Sequence, residues 1–150
     1  MSKSHVSLPS EAPTHSLMGV SFQIVTPGAA TGGTMHALVA TFPPGLGMPP
    51  YHHDGVDELY HVLEGTLTLM VEGREFQAPA GTTMFLKGGT VHAVRNDGDV
   101  PAKLYEITQP AWPVEDFIAD VQALLSSGEA PTPEAMLAIY TRYDLVPAGP

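Results

Sequence analysis

Between Glu58 and Ile107 the chain cannot run straight for long. Short apolar runs (ELYHVL, TLTLMV, TMFL, AKLYEI) alternate with Glu64-Gly65, Glu72-Gly73, Pro79-Ala80-Gly81, Lys87-Gly88-Gly89 and Asn96-Asp97-Gly98-Asp99. Each separator holds residues that reverse a chain. Glycine reaches positive φ, proline removes a backbone donor, and Asn or Asp closes a turn with its own side chain. The pattern predicts strands at 58–63, 66–71, 74–78, 82–86, 91–95 and 102–107. Strands this short, joined this tightly, close on themselves as a small barrel or sandwich.

Upstream, SFQIVT and TMHALVATF read as two further strands, separated by an AATGGT loop. PPGLGMPP, at 43–50, is predicted to be irregular, because proline cannot feed a hydrogen-bonded ladder. Residues 1–16 are polar and proline-containing, and read as an arm that is disordered or laid against a partner subunit. The barrel is expected over 17–110 and a helical extension over 111–150. There Val114, Phe117, Ile118, Val121, Leu124 and Leu125 follow helical spacing, ending before Gly128. Thr132-Pro133-Glu134 is an N-cap, a first-turn proline and an acid, opening a second helix expected to bury Met136, Leu137 and Tyr140. Trp112 is expected to anchor the crossing from barrel to helix. The fold class is therefore all-β, with two short C-terminal helices.

Composition narrows the function. A formal net charge of −10 without a basic cluster disfavours nucleic acid and anionic membranes. The absence of cysteine removes disulfides and thiolate sites. No stretch resembles a signal core or a membrane span, so a soluble cytoplasmic protein is expected.

The residues that can carry chemistry crowd into 49–96. His52, His53, His61 and His92 lie there, with Glu58 five residues after His53. Imidazole and carboxylate donors together suit a divalent transition metal: Fe, Mn, Ni, Co, Cu or Zn. Adjacent strand residues point to opposite faces, so His52 and His53 cannot both face inward without a bulge. His61, beside Tyr60, is expected on the outer face.

These residues resemble the cupin superfamily, whose motifs read G-x5-H-x-H-x3,4-E-x6-G and G-x5-P-x-G-x2-H-x3-N. Gly81, Gly89, His92 and Asn96 fit the second motif, with Lys87 in place of its proline; Glu58 and Gly65 fit the end of the first. The histidine pair admits two registers. One places Tyr51 and His53 at the ligand positions, the other His52 and Asp54. The resemblance implies a double-stranded β-helix (cupin or jelly-roll barrel) with a metal held by His52 or His53, Glu58 and His92, and Glu58 and His92 as catalytic groups. The tail also resembles that of quercetin 2,3-dioxygenase-like monocupins, which implies a dioxygenase acting on a small, largely apolar molecule. A non-oxidative isomerase, cyclase or lyase, or a non-catalytic binder, are the alternatives. Alternation suggests a pocket lined by Met48, Tyr60, Val62, Met70, Met84 and Phe85, with Tyr51, Tyr60 and Met84 touching substrate. A homodimer is expected, since cupins commonly pair through edge strands.

Overall fold

A computed structural model describes residues 4–149. Eleven strands form two antiparallel sheets. β1 (Thr14–Leu17), β2 (Val20–Thr26), β3 (His36–Phe42), β5 (Asp57–Glu64), β8 (Thr83–Leu86) and β10 (Ala102–Gln109) make a six-stranded sheet in the order β1-β2-β3-β10-β5-β8. β4 (Gly47–His52), β6 (Thr66–Val71), β7 (Arg74–Pro79), β9 (His92–Arg95) and β11 (Val146–Pro147) make the other, in the order β11-β4-β9-β6-β7. The two sheets form a jelly-roll β-barrel whose core is packed from both, with Ile24, Leu38, Phe42, Val62, Leu67, Leu69 and Leu104 almost fully buried.

Alternation decides what faces in. Along β5, Glu58, Tyr60 and Val62 are buried, while Leu59 and Leu63 reach the surface. Phe85, the cross-strand neighbour of Leu59, is 64 % exposed, so it lies outside the barrel and not in the expected pocket. His61 pairs with Thr83 on this same outer face.

Four features depart from the sequence reading. The expected AATGGT loop opens with a single 3-10 turn, Gly28–Thr31. The chain before residue 17 is attached to its own barrel: β1 pairs with β2, and Gln23 donates to the Pro9 carbonyl. Residues 1–3 of the expected arm lie outside the described residues. PPGLGMPP is half strand, because Pro49 and Pro50 occupy a register shift between Met48 and Tyr51, a place where the ladder needs no donor. Finally, β11 adds a short pairing to β4 (Val146↔His52, Pro147↔Tyr51) that no sequence pattern announced.

The extension consists of α1 (Val114–Leu125) and α2 (Pro133–Arg142). α1 buries Val114, Phe117, Ile118 and Val121, as its spacing predicts, while Leu125 is exposed. Thr132 caps α2 by accepting from the Ala135 amide. α2 buries Ile139 and leaves Leu137 exposed, so its inward stripe is Met136, Ile139 and Tyr140. Arg142 and the Tyr143 hydroxyl both bind Asp120, tying the end of α2 to α1. Trp112 fixes the crossing, donating from Nε1 to the Tyr143 carbonyl. Among the described residues, no helix is long and apolar enough to cross a membrane.

Candidate functional site

The bulge at Pro49–Pro50 selects the register. With one extra residue in β4, Tyr51 pairs with His92 of β9, and Tyr51 and His53 both turn inward. His52 stays outside the cluster, with Nδ1 3.1 Å from the exposed Asp54 carboxylate. The second register, in which His52 and Asp54 would be ligands, is therefore overturned.

Three side chains meet between the sheets. Glu58 from β5 stands between His53, just past β4, and His92 of β9. Its Oε1 is 3.1 Å from His53 Nε2 and its Oε2 is 3.2 Å from His92 Nε2. All three are at most 4 % exposed. The far nitrogen of each imidazole is already engaged. His53 Nδ1 is 2.6 Å from the Asp144 carbonyl, and His92 Nδ1 is 2.8 Å from the Thr90 carbonyl. A carbonyl only accepts, so both Nδ1 atoms carry the proton. In a neutral imidazole that leaves each Nε2 as a lone pair aimed at a carboxylate.

Two acceptors facing a third at this distance require a positive charge among them. Protons on the imidazoles are one source, and the electrostatics reflect that option. Burial alone would raise the Glu58 carboxyl, but the two imidazoles outweigh it and bring it down to about 2. Burial would depress His53, but Glu58 and the Asp144 carbonyl hold it above its ordinary value. Yet both Glu58 oxygens and His92 Nε2 lack a partner in hydrogen-bonding geometry. Unpartnered polar atoms that converge in a buried site call for a positive charge, which either protons or a cation can supply. Neighbouring donors on a metal bonded at about 2.1 Å stand roughly 3 Å apart. The donor set, two imidazole nitrogens and a carboxylate, has the chemistry of a transition-metal site. As the side chains stand, one carboxylate oxygen turns to each imidazole, and among the described residues no group of three or more His, Cys, Asp or Glu side chains is placed to hold a metal ion.

Two phenols complete the cluster. The Tyr51 ring lies 4.5 Å from that of His92, and its hydroxyl is 3.3 Å from the Tyr60 hydroxyl. Burial first, then the Glu58 charge, raises both phenols well above their ordinary value, so they remain protonated. An inner cavity of about 40 Å³ reaches Tyr51, Tyr60, His53, Met48, Trp112 and Glu106. Val62 and Met84 pack in the core instead of the cavity wall, and the Met70 sulfur accepts from the Gly73 amide at a turn.

The sequence reading missed two groups. Glu106 of β10 shares the inward face with Leu104 and Thr108; burial, then the nearby Glu58, push its carboxyl well up. Its place in the alternation of AKLYEIT was a usable signal. Asp144 gave none. Its carbonyl orients His53, and its carboxylate accepts from the Asp54 and Gly55 amides. On the other side, Gly89 donates to the His53 carbonyl, and Gly88 passes so close that a Cβ there would meet the Asp54 carbonyl at 2.6 Å. Asn96 is a structural staple, donating to the Phe42 and Val100 carbonyls and accepting from Gly98.

The two-sheet barrel is the fold of a cupin. Residues 38–108 match the cupin domain family, which together with the cupin-fold neighbours supports a protein of the cupin superfamily. Over 111 residues it is 29 % identical to the tetracenomycin polyketide synthase protein TcmJ of Streptomyces glaucescens, covering 72 % of each chain. Among solved structures it resembles a predicted oxalate decarboxylase from Thermotoga maritima (TM-score 0.67, 19 % identity, 71 % of this chain and 99 % of that one). It also resembles an RmlC-like cupin from Shewanella frigidimarina (TM-score 0.63, 20 % identity, 76 % and 96 %). At these identities the structures speak for the fold alone.

Proposed function

We propose that this protein is a metal-dependent cupin enzyme acting on a small, largely apolar organic molecule, by a dioxygenase-type reaction. His53, Glu58 and His92 would hold one divalent transition metal. The observation that carries the reading is the convergence of two imidazole Nε2 atoms on a buried carboxylate whose two oxygens, like His92 Nε2, lack a hydrogen-bond partner. Such a metal, when bound, supplies a Lewis acid with positions open to an oxygen donor and to O₂. The chain's own residues do the rest. The Asp144 and Thr90 carbonyls fix the imidazole tautomers. The inner wall excludes water. Tyr51 and Tyr60, held protonated, offer hydrogen bonds to a substrate oxygen beside His53.

A second reading is favoured by the likeness to a polyketide synthase protein. A non-oxidative rearrangement of an enol or phenol would use the same residues, with Glu58 or His92 moving the proton.

Elemental analysis of protein purified without chelator tests the proposal, beside His92→Ala and Glu58→Ala. Near-stoichiometric Fe, Mn, Ni, Co or Cu, lost in both variants, is expected, together with O₂ uptake on enols or flavonols. Zinc lost in the same way, with no O₂ uptake, would select the second reading. No metal after reconstitution would sink the dioxygenase proposal and leave metal-free acid–base catalysis or a binder.

A further inference from the structure

The inner cavity is not the whole space. Outside it lies a groove of about 330 Å³ between β4, β1 and the C-terminal helices, and the two share Leu17, Met48, Tyr51, Phe117 and Leu145 in their walls. The groove is faced by methionine, proline and aliphatic side chains, with only tyrosine hydroxyls as polar side-chain groups. Neither wall holds a lysine or arginine. At the inner end Glu106 lines the cavity, and its carboxyl makes no hydrogen bond or ion pair among the described residues.

Resting on the catalytic reading above, we infer that groove and cavity form one substrate site for a neutral, flat, ring-bearing molecule. The rings lie in the groove, and one hydroxyl or carbonyl oxygen meets Glu106 at the inner end. Size supports the division. A cavity of about 40 Å³ admits a substituent or a few waters but not a ring, since one water needs roughly 10–15 Å³ on this measure. Charge supports the neutrality. An anion would shed its water beside two carboxyl groups, Glu58 and Glu106, and the one wall side chain able to carry a positive charge, His53, is already turned to Glu58. A polyhydroxylated sugar would leave hydroxyls unpaired against the apolar groove. The site therefore selects against small dicarboxylates and phosphorylated sugars.

The test is calorimetric titration with 2-naphthol and with 2-naphthoate, the same ring carrying a neutral or an anionic oxygen group. Metal-free and metal-loaded protein are both used. Naphthol is expected to bind the metal-free protein at least about tenfold more tightly than naphthoate. Glu106→Leu should weaken naphthol about tenfold, whereas Glu106→Gln, which keeps a hydrogen-bonding group, should stay within about threefold. Met136→Glu, in the groove wall, should weaken naphthol independently of Glu106 and leave metal content unchanged, with binding measured well below the variant's own Tm. Naphthoate binding as tightly as naphthol, no naphthol binding, or full affinity in Glu106→Leu and Met136→Glu would each overturn the inference. Absence of metal would overturn the catalytic reading without moving the metal-free binding ratios.

Discussion

Glu58 shows how a few atoms set the character of a site. Burial works against its charge, and only the facing imidazoles reverse the balance. Asn96, the final residue of the second motif, has a different kind of weight, because it satisfies two backbone carbonyls and one amide at a buried turn. Asn96→Ala removes all three bonds and is expected to cost about 2–4 kcal/mol, read from the shift of a urea unfolding midpoint. A loss under about 0.5 kcal/mol would mean that water replaces the amide there. At this scale the sequence was partly legible. Glu58 and His92 could be placed from the motifs that carry the resemblance to cupins. His52 against His53 could not, because the choice depends on one residue of bulge between two prolines. Phe85 was misplaced because a short, isolated run does not reveal which phase of its alternation faces inward.

Between residues and fold stands the segment from Tyr143 to Pro147, which belongs to neither helix and closes the site from outside the matched domain. Asp144 sits at φ +52°, a conformation that Asn and Asp tolerate better than most residues. Asp144→Ala loses both amide contacts and favours leaving that conformation, which frees the carbonyl from His53. A drop of about 10–100-fold in metal affinity is expected, measured by competition with a chromophoric chelator. Asp144→Asn, which keeps one acceptor oxygen and the backbone preference, should lose less. Equal affinity in all three proteins would show that Gly88 and Gly89 hold His53 alone. The helices themselves were legible from period and capping, but the Asp144 contact joins residues 91 apart. Nothing local encodes a pairing of that range.

For the whole molecule, the same groups predict how stability depends on pH. The Glu58 carboxyl is lowered to about 2 from 4.5, so its contribution is complete above about pH 4.5 and fades as pH falls toward 2. The His53 imidazole is raised above 6.5, so its contribution is complete below 6.5 and is lost as pH rises through the raised value. Metal-free protein should thus show its highest Tm between about pH 4.5 and 6.5, and His53→Gln should flatten the alkaline side of the curve. A Tm of the metal-free protein that climbs steadily from pH 6 to 9 would contradict this. The barrel was legible at this scale because every turn signal and most of the alternation agree with it. The groove was not, because helices distant in sequence build one of its walls.

The contact between His53 and Asp144 also sets an order in time. Translation completes strands β3 to β10 well before residue 144 leaves the ribosome. A nascent barrel can fold around Glu58 and His92 while His53 still lacks the carbonyl that aims it. Under the metal-binding proposal, the site would be fully aimed only once the later segment docks.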